Sequence, residues 1–332
     1  MQVSSLLLYW VHLLFTIANV LLNVLCLYLI KNCTRKGMFE YRKILYQNCV
    51  FEVIYSVVSG ISQVKMETYD GQILITLTGL PSASQSLANV VTILWLLSMH
   101  CVMMGMTVQV FYRYLIIVRD LKIRNSHYFA MLVPCIGVAV LISIVFFWTV
   151  ETTPDCTDEE LDILRSIDNQ QDIPCVPLSL NHTGMKWVVF LTSIVGCFAG
   201  TFIPLMNYLV YRHLRETVSM TSTKKNLEKQ VSIALISQVV IVSVGGLIPL
   251  AFILINMLTS SAYPSLSTFA STIIIILPIV NPLTTIVTIE AYRRYIILKV
   301  KTLCSYKKNV EPVLYLQPSS SQQQLHAKHS LT

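Results

Sequence analysis

Residues 6–30, LLLYWVHLLFTIANVLLNVLCLYLI, decide the fold, and Lys31, Arg35, Lys36, Arg42 and Lys43 follow them closely. The run holds 25 residues without an Asp, Glu, Lys or Arg. About 20 mostly apolar residues are enough for a helix to cross a hydrocarbon core of about 30 Å. A cleaved leader would open on basic residues and carry an apolar run of about 7–15. Here the basic residues come after the run, so it reads as an uncleaved first span with its N-terminus outside.

Outward from it lie six further runs: Ile44–Ser62, Ala88–Tyr112, Tyr128–Val150, Trp187–Tyr211, Gln230–Leu258 and Ser265–Ile289. The sixth, at 29 residues, is expected to project into the cytosol. None alternates as a transmembrane strand would. The expected fold is an all-α membrane protein, a seven-transmembrane helix bundle over residues 1–304 that includes a short interfacial helix after the seventh span. Residues 305–332, with Ser319-Ser320-Ser321-Gln322-Gln323-Gln324, read as a disordered cytoplasmic tail.

Composition agrees. The 332 residues are 54% hydrophobic and 12% charged, with a mean hydropathy of +0.64. Soluble domains carry about 25% charged residues. That excludes a soluble globular enzyme, a disordered scaffold and a nucleic-acid-binding domain. The net charge of +7 is a matter of topology. With the N-terminus outside, segments 31–43, 113–127, 212–229 and 290–332 are cytosolic and hold 21 of the 24 Lys and Arg residues. Outside lie Lys65, Arg165 and Lys186, together with ten acidic residues. This split follows the positive-inside rule and requires no nucleic acid.

The nine cysteines are too scattered for a small disulfide scaffold, and only Cys156 and Cys175 fall outside, both in loop 151–186. A disulfide between them is expected, the alternatives being free thiols or a bond to another protein. The loop's eight acidic residues suit either a solvated surface or steering of cationic ligands. Asn181-His182-Thr183 is a glycosylation sequon on the outer face, six residues before Trp187. About five residues precede the first span, so a ligand must reach the bundle or its loops, which favours a small molecule.

Within the spans, Glu52 is the one acidic or basic residue at depth, and such groups normally face the bundle interior. Asn19, Asn23 and Asn281 are its expected partners. The cluster reads either as a cation- or proton-linked switch or as a neutral carboxyl holding helices together. Pro134, Pro204, Pro249, Pro278 and Pro282 fall in the last four spans, and Pro249 follows Gly245-Gly246, which weakens the sixth helix there. The third span ends Phe111-Tyr112-Arg113-Tyr114, where Arg113 by itself reads as a positive-inside anchor. Residues 290–297 suit an interfacial helix with Tyr292, Ile296, Val300 and Leu303 on its apolar face, resting on membrane lipid. Cys304 is either a palmitoylation site or a free thiol.

Together these features resemble the G-protein-coupled receptors. Asn23, Glu52, Arg113, Pro204, Pro249 and Asn281-Pro282 fall on the first, second, third, fifth, sixth and seventh spans at rhodopsin-like spacing. Arg113 resembles the arginine of the Asp/Glu-Arg-Tyr motif, Asn281-Pro282 the start of Asn-Pro-x-x-Tyr, and Glu52 the second-helix acid. The sequence departs at Tyr112, which stands where the acid is usual, at Thr285 in place of the tyrosine, and in lacking a cysteine at the start of the third span.

The pattern is most similar to the nematode serpentine chemoreceptors of the Str superfamily, with likeness to its Srd branch. It is carried by Asn32-Cys33-Thr34-Arg35-Lys36-Gly37-Met38 leading to Tyr41-Arg42, by Phe111-Tyr112-Arg113-Tyr114, and by Pro278-Ile279-Val280-Asn281-Pro282 ending at Tyr292-Arg293-Arg294. The resemblance implies a chemosensory receptor in the plasma membrane of sensory-neuron cilia. It would take an odorant or soluble cue and signal through a heterotrimeric G protein, with arrestin and a receptor kinase as further partners. Arg113, Tyr112 and Tyr114 would serve coupling, and Asn23, Glu52, Asn281, Pro282, Pro249 and Pro204 activation. By depth alone, Met99, His100, Met103, Phe252 and Asn256 are ligand-contact candidates, with core packing as the plainer role of each. No cofactor or metal is implied.

Three other classes fit less well. A channel of the insect odorant-receptor type places its N-terminus inside. A transporter calls for paired interrupted helices and more intramembrane charge than Glu52 supplies. An enzyme or photoreceptor would show His-Glu-x-x-His, Gly-x-Ser-x-Gly or a lysine in the seventh span, and the sequence has none of these.

Overall fold

The computed structural model describes residues 5–33, 41–168, 174–216, 230, 232–233, 236–238, 240, 245–246, 248–259 and 264–310. Helix α1 (Ser5–Cys33) runs antiparallel to α2 (Arg42–Ser62), and α3 (Gln85–Ile117) and α4 (Asn125–Thr152) follow. Beyond the short helix α5 (Asp158–Asp168) come α6 (Thr183–Glu216), α7 (Ile248–Leu258), α8 (Pro264–Thr288) and α9 (Glu290–Val310). Among the described residues, α1, α2, α3, α4 and α6 are long and apolar enough to cross a membrane. Helix α7 is the described outer part of the sixth expected span, and α8 overlies the seventh. Large apolar side chains point outward along these helices, Leu14 at 66% and Val133 at 66% exposure, as lipid-facing surfaces require.

The all-α expectation is corrected in the loops at one end of the bundle, the end expected to lie outside. Strands β1 (Val64–Tyr69) and β2 (Gln72–Leu77) form a hairpin between α2 and α3, and β3 (Cys175–Ser179) adds antiparallel to β2. The turn is Asp70-Gly71, with φ of 42° and 73°. Two successive residues at positive φ make the tight turn whose twist matches paired strands, and Asp-Gly is a favoured sequence for it. Helix α2 ends just before the hairpin, with Gln63 left-handed at φ 44° and its N–H bonded to Ser59 O at 2.8 Å. Helix α5 begins with a capping box, Thr157 N–H donating to Glu160 Oε2 at 2.8 Å and Glu160 N–H to Thr157 Oγ1 at 3.4 Å.

Two further boundaries differ from the sequence reading. Helix α3 continues past Tyr112 to Ile117, so Arg113 and Tyr114 are helical rather than the start of a loop. Helix α9 continues past residue 304 to Val310, while residues 311–332 of the expected tail lie outside the described residues.

Two apolar cores stack along the bundle. The one at the sheet end, termed outer after the expected orientation, joins the sheet to α2, α3, α4, α6, α7 and α8 through residues such as Tyr55, Trp95, Phe146, Ile253 and Ile274. The inner one packs Leu29, Ile44, Tyr112, Tyr128, Val210 and Tyr292. Gly105 sets how closely α2 and α3 approach. A Cβ there would stand 2.6 Å from Gln47 Nε2 and 2.9 Å from Phe51 Cδ2. Gly105→Val is therefore expected to wedge the two helices apart and cost about 1–3 kcal/mol, measured as a lower melting temperature of the purified protein.

Candidate functional site

At mid-depth a polar network joins four helices. Glu52, fully buried on α2, accepts at Oε1 from Asn48 Nδ2 at 2.8 Å and from Asn281 Nδ2 of α8 at 2.6 Å. Asn48 Oδ1 accepts in turn from Gln109 Nε2 of α3 at 2.9 Å. On α1, Asn19 donates to Ser56 and accepts at Oδ1 from Asn23 Nδ2 at 2.8 Å, and Ser56 Oγ donates to the Glu52 carbonyl at 2.6 Å. Asn23 stands beside the Glu52 carboxyl. Among the described residues, Glu52 Oε2 and Asn23 Oδ1 are buried acceptors without a hydrogen-bond partner.

Of the three partners expected for Glu52, Asn281 bonds it directly and Asn23 adjoins it, whereas Asn19 is linked to it through Ser56. Asn48 was missed, although it lies four residues before Glu52 and so on the same helix face. Gln109 left no such signal, because only tertiary packing brings it to Asn48.

Below this network Arg113 is buried at 1% exposure. Its Nη2 donates to Ser232 Oγ at 2.8 Å, and its guanidinium lies over the Tyr41 ring at 5.7 Å. Tyr112, at the usual acid position, is fully buried and meets the Tyr128 ring edge-on at 5.0 Å. Tyr128 donates to Gln47. Tyr114 is half-buried, with the Arg119 guanidinium 5.9 Å from its ring centroid.

The described parts of the sixth expected span are tied to the seventh by two glutamines, and Gln230 Nε2 donates to the Glu290 carboxylate at 3.4 Å. Gln238 Nε2 donates to Thr285 Oγ1 at 3.1 Å and to Asn281 O at 3.4 Å. Gln230 Oε1 accepts from Glu290 N–H at 3.1 Å, at the break between α8 and α9. Thr285, in the place of the motif tyrosine, thus supplies the oxygen that Gln238 uses. Gly245 and Gly246 take a π-helical turn ahead of the buried Pro249, a local departure from regular helix. Pro204 lies exposed within α6, while Pro278 and Pro282 are buried within α8. Tyr28 and Tyr295 share a hydroxyl hydrogen bond of 3.0 Å that joins α1 to α9.

The ligand-contact candidates separate. Met99 packs on the outer core, Met103 is half-buried, and His100 is fully buried with Nδ1 2.9 Å from Leu96 O. Since a carbonyl only accepts, Nδ1 carries the proton. Asn256 is 6% exposed, whereas Phe252 at 46% faces outward and is not brought to the core.

Cys156 and Cys175 are joined by a disulfide, Cα to Cα 6.1 Å. The acidic residues around it are engaged locally. Besides the Glu160 cap, Tyr69 OH donates to Glu159 at 3.3 Å, and Asp162 pairs with Arg165 at 2.8 Å. The Glu159 charge pushes the Tyr69 hydroxyl above its ordinary pKa. Asn181 is exposed two residues before α6. Cys304 lies on α9, with its side chain outside the described residues.

This arrangement is that of the rhodopsin-like fold. The structure is similar to the crystal structure of squid rhodopsin, with a TM-score of 0.67 and 13% identity over 96% of this chain and 94% of that one. The family model for the serpentine type 7TM GPCR chemoreceptor Str matches residues 8–297. The chain belongs to that family and is a multi-pass membrane protein of the G-protein-coupled receptor class. The match names Str and no branch within it. The search of curated proteins gave no match.

Proposed function

We propose that this protein is a chemosensory receptor of the plasma membrane, of sensory-neuron cilia in particular. It binds a small molecule among the outer halves of α3, α6, α7 and α8 and activates a heterotrimeric G protein from its cytosolic face. The observation that carries this reading is Arg113, a charged side chain buried at 1% exposure on the cytosolic part of α3 and hydrogen-bonded to Ser232 of the sixth span. A charged side chain is costly to bury, so the contacts that hold it carry weight. Here it acts as a latch at rest and as a contact for the G protein once the sixth span moves outward. A ligand drives that movement only by binding the open state more tightly.

The missing acid at Tyr112 fits this account. The resting restraint includes the hydrogen bond to Ser232 and the ring of Tyr41, with the glutamines at 230 and 238 adding further ties. A hydrogen bond to a charged group contributes about 1.5–3 kcal/mol, so Ser232→Ala is expected to raise ligand-free signalling at least about tenfold. Second-messenger output at matched surface expression measures it.

Glu52 belongs to the same machinery as a protonated carboxyl. In the neutral form no charge is left at mid-depth, and Oε1 still serves as the acceptor shared by Asn48 and Asn281. Palmitate on Cys304 and the basic face of α9 would hold that helix to the inner leaflet, where arrestin and a receptor kinase dock on the active state. Glycosylation at Asn181 suits its exposed outer position.

The test is a recording from cells expressing the protein while pooled volatile and water-soluble metabolites are applied, with and without GDP-β-S in the pipette. A response abolished by GDP-β-S is expected. A fast current that survives it would assign the protein to ligand-gated channels instead.

A further inference from the structure

The three-stranded sheet lies across the outer mouth of the bundle. Strand β1 packs on α7 and α8, and β3 on α3 and α4, with β2 between them. At about 4.8 Å per strand the sheet reaches about 10 Å from one side to the other. Nearly all of its residues are buried. Its lower face presents Val64, Met66, Ile75, Leu77, Val176 and Leu178 to the outer core. On the upper face Leu164 of α5 packs with Leu74 and Cys175. The disulfide from Cys156 to Cys175 fastens the approach to that helix onto β3.

The charges of the sheet lie on the upper face. Lys65 and Glu67 alternate with Val64 and Met66 along β1 and pair with each other at 3.2 Å. Their cross-strand partners are Thr76 and Leu74, and Leu74 belongs to the upper cluster. Below the sheet, the outer halves of the membrane helices carry Glu151 and Lys186 as their Asp, Glu, Lys or Arg residues, both exposed, together with the buried histidines His12, which lies near Lys65, and His100. A charged ligand in the outer core would meet an apolar ceiling and no counter-charge, at the full cost of burying an ion.

We propose that the ligand is an uncharged, largely apolar molecule that reaches the outer core through the bilayer, because this two-layered lid closes the aqueous mouth. The inference rests on the outer-bundle ligand site proposed above and adds the chemical class and the route. Its physical basis is the sorting of charge: apolar below the sheet, paired charge above it.

The test uses cysteines introduced at Met99 in the wall and, in a separate variant, at Ile75 in the ceiling, in the full chain embedded in membranes. Each is treated with methyl methanethiosulfonate, which is neutral, and with its trimethylammonium-ethyl analogue, which carries the same reactive group and a fixed charge. Labelling of each site is read by mass spectrometry, so the result does not depend on G-protein coupling. The neutral reagent is expected to label both sites, and the cation to be slower by about a hundredfold, as the cost of carrying a charge into the membrane implies. Comparable rates for the two reagents would show an open aqueous mouth and overturn the proposal. Failure of both reagents at both sites would overturn it equally, since no route through the bilayer would then exist.

Discussion

Glu52→Leu is expected to abolish surface expression, while Glu52→Gln leaves expression and signalling close to wild type. The carboxyl is fully buried, and its Oε1 accepts from both Asn48 and Asn281. Leucine removes that acceptor and strands two amide donors, each at about 1–3 kcal/mol. The sum is a large part of a typical folding free energy of about 5–15 kcal/mol. It falls where α1, α2, α3 and α8 are held together, so the loss is not confined to one helix. Glutamine keeps Oε1 as the acceptor shared by Asn48 and Asn281 and carries no charge, as the protonated acid would. Surface labelling and thermal unfolding of the two variants measure the contrast. If Glu52→Gln fails as Glu52→Leu does, the carboxyl works as an anion, and the neutral account of this network is wrong.

The second large effect concerns Arg113. Arg113→Ala is expected to keep surface expression and ligand binding and to lose coupling to the G protein. In the proposed account its bond to Ser232 and its contact with the Tyr41 ring restrain the resting state. Neither is part of the mid-depth network, and the outer core lies farther away still. Loss of the side chain therefore removes a latch and a docking contact together. The latch alone would raise basal output, as Ser232→Ala does. The docking contact dominates because an open state without Arg113 has nothing to present. Radioligand or thermal-shift binding, read beside nucleotide exchange, separates the two functions. Normal exchange by Arg113→Ala would refute the coupling role.

Much of this arrangement was legible because a membrane solvent writes it into composition. Charge-free runs mark the long apolar helices α1, α2, α3, α4 and α6, since each charge at depth is costly. The same cost made Glu52 conspicuous, and helical spacing would have yielded Asn48 as well. The lid was less legible. Its strands lie in short loop segments that read as connections between spans, although Asp70-Gly71 between VKMETY and QILITL is a hairpin signal. Ser232, Gln238 and Gln109 could not be singled out from sequence. Each is an ordinary polar residue in an apolar run, and only the packing of one helix on another gives it Arg113, Thr285 or Asn48 as partner. Phe252 shows the limit of depth as a guide, because depth fixes the height of a side chain and not the direction in which it points.

The most direct test of the central claim needs no ligand. Membranes bearing wild type, Ser232→Ala, and Ser232→Ala combined with Arg113→Ala are mixed with a panel of purified heterotrimers, and the rate of GTPγS uptake is measured at equal receptor density. The account predicts uptake by Ser232→Ala well above wild type for at least one heterotrimer, and a return to the receptor-free rate when Arg113 is also removed. Uptake that stays raised in the double variant, or that Ser232→Ala fails to raise for any heterotrimer, would contradict it.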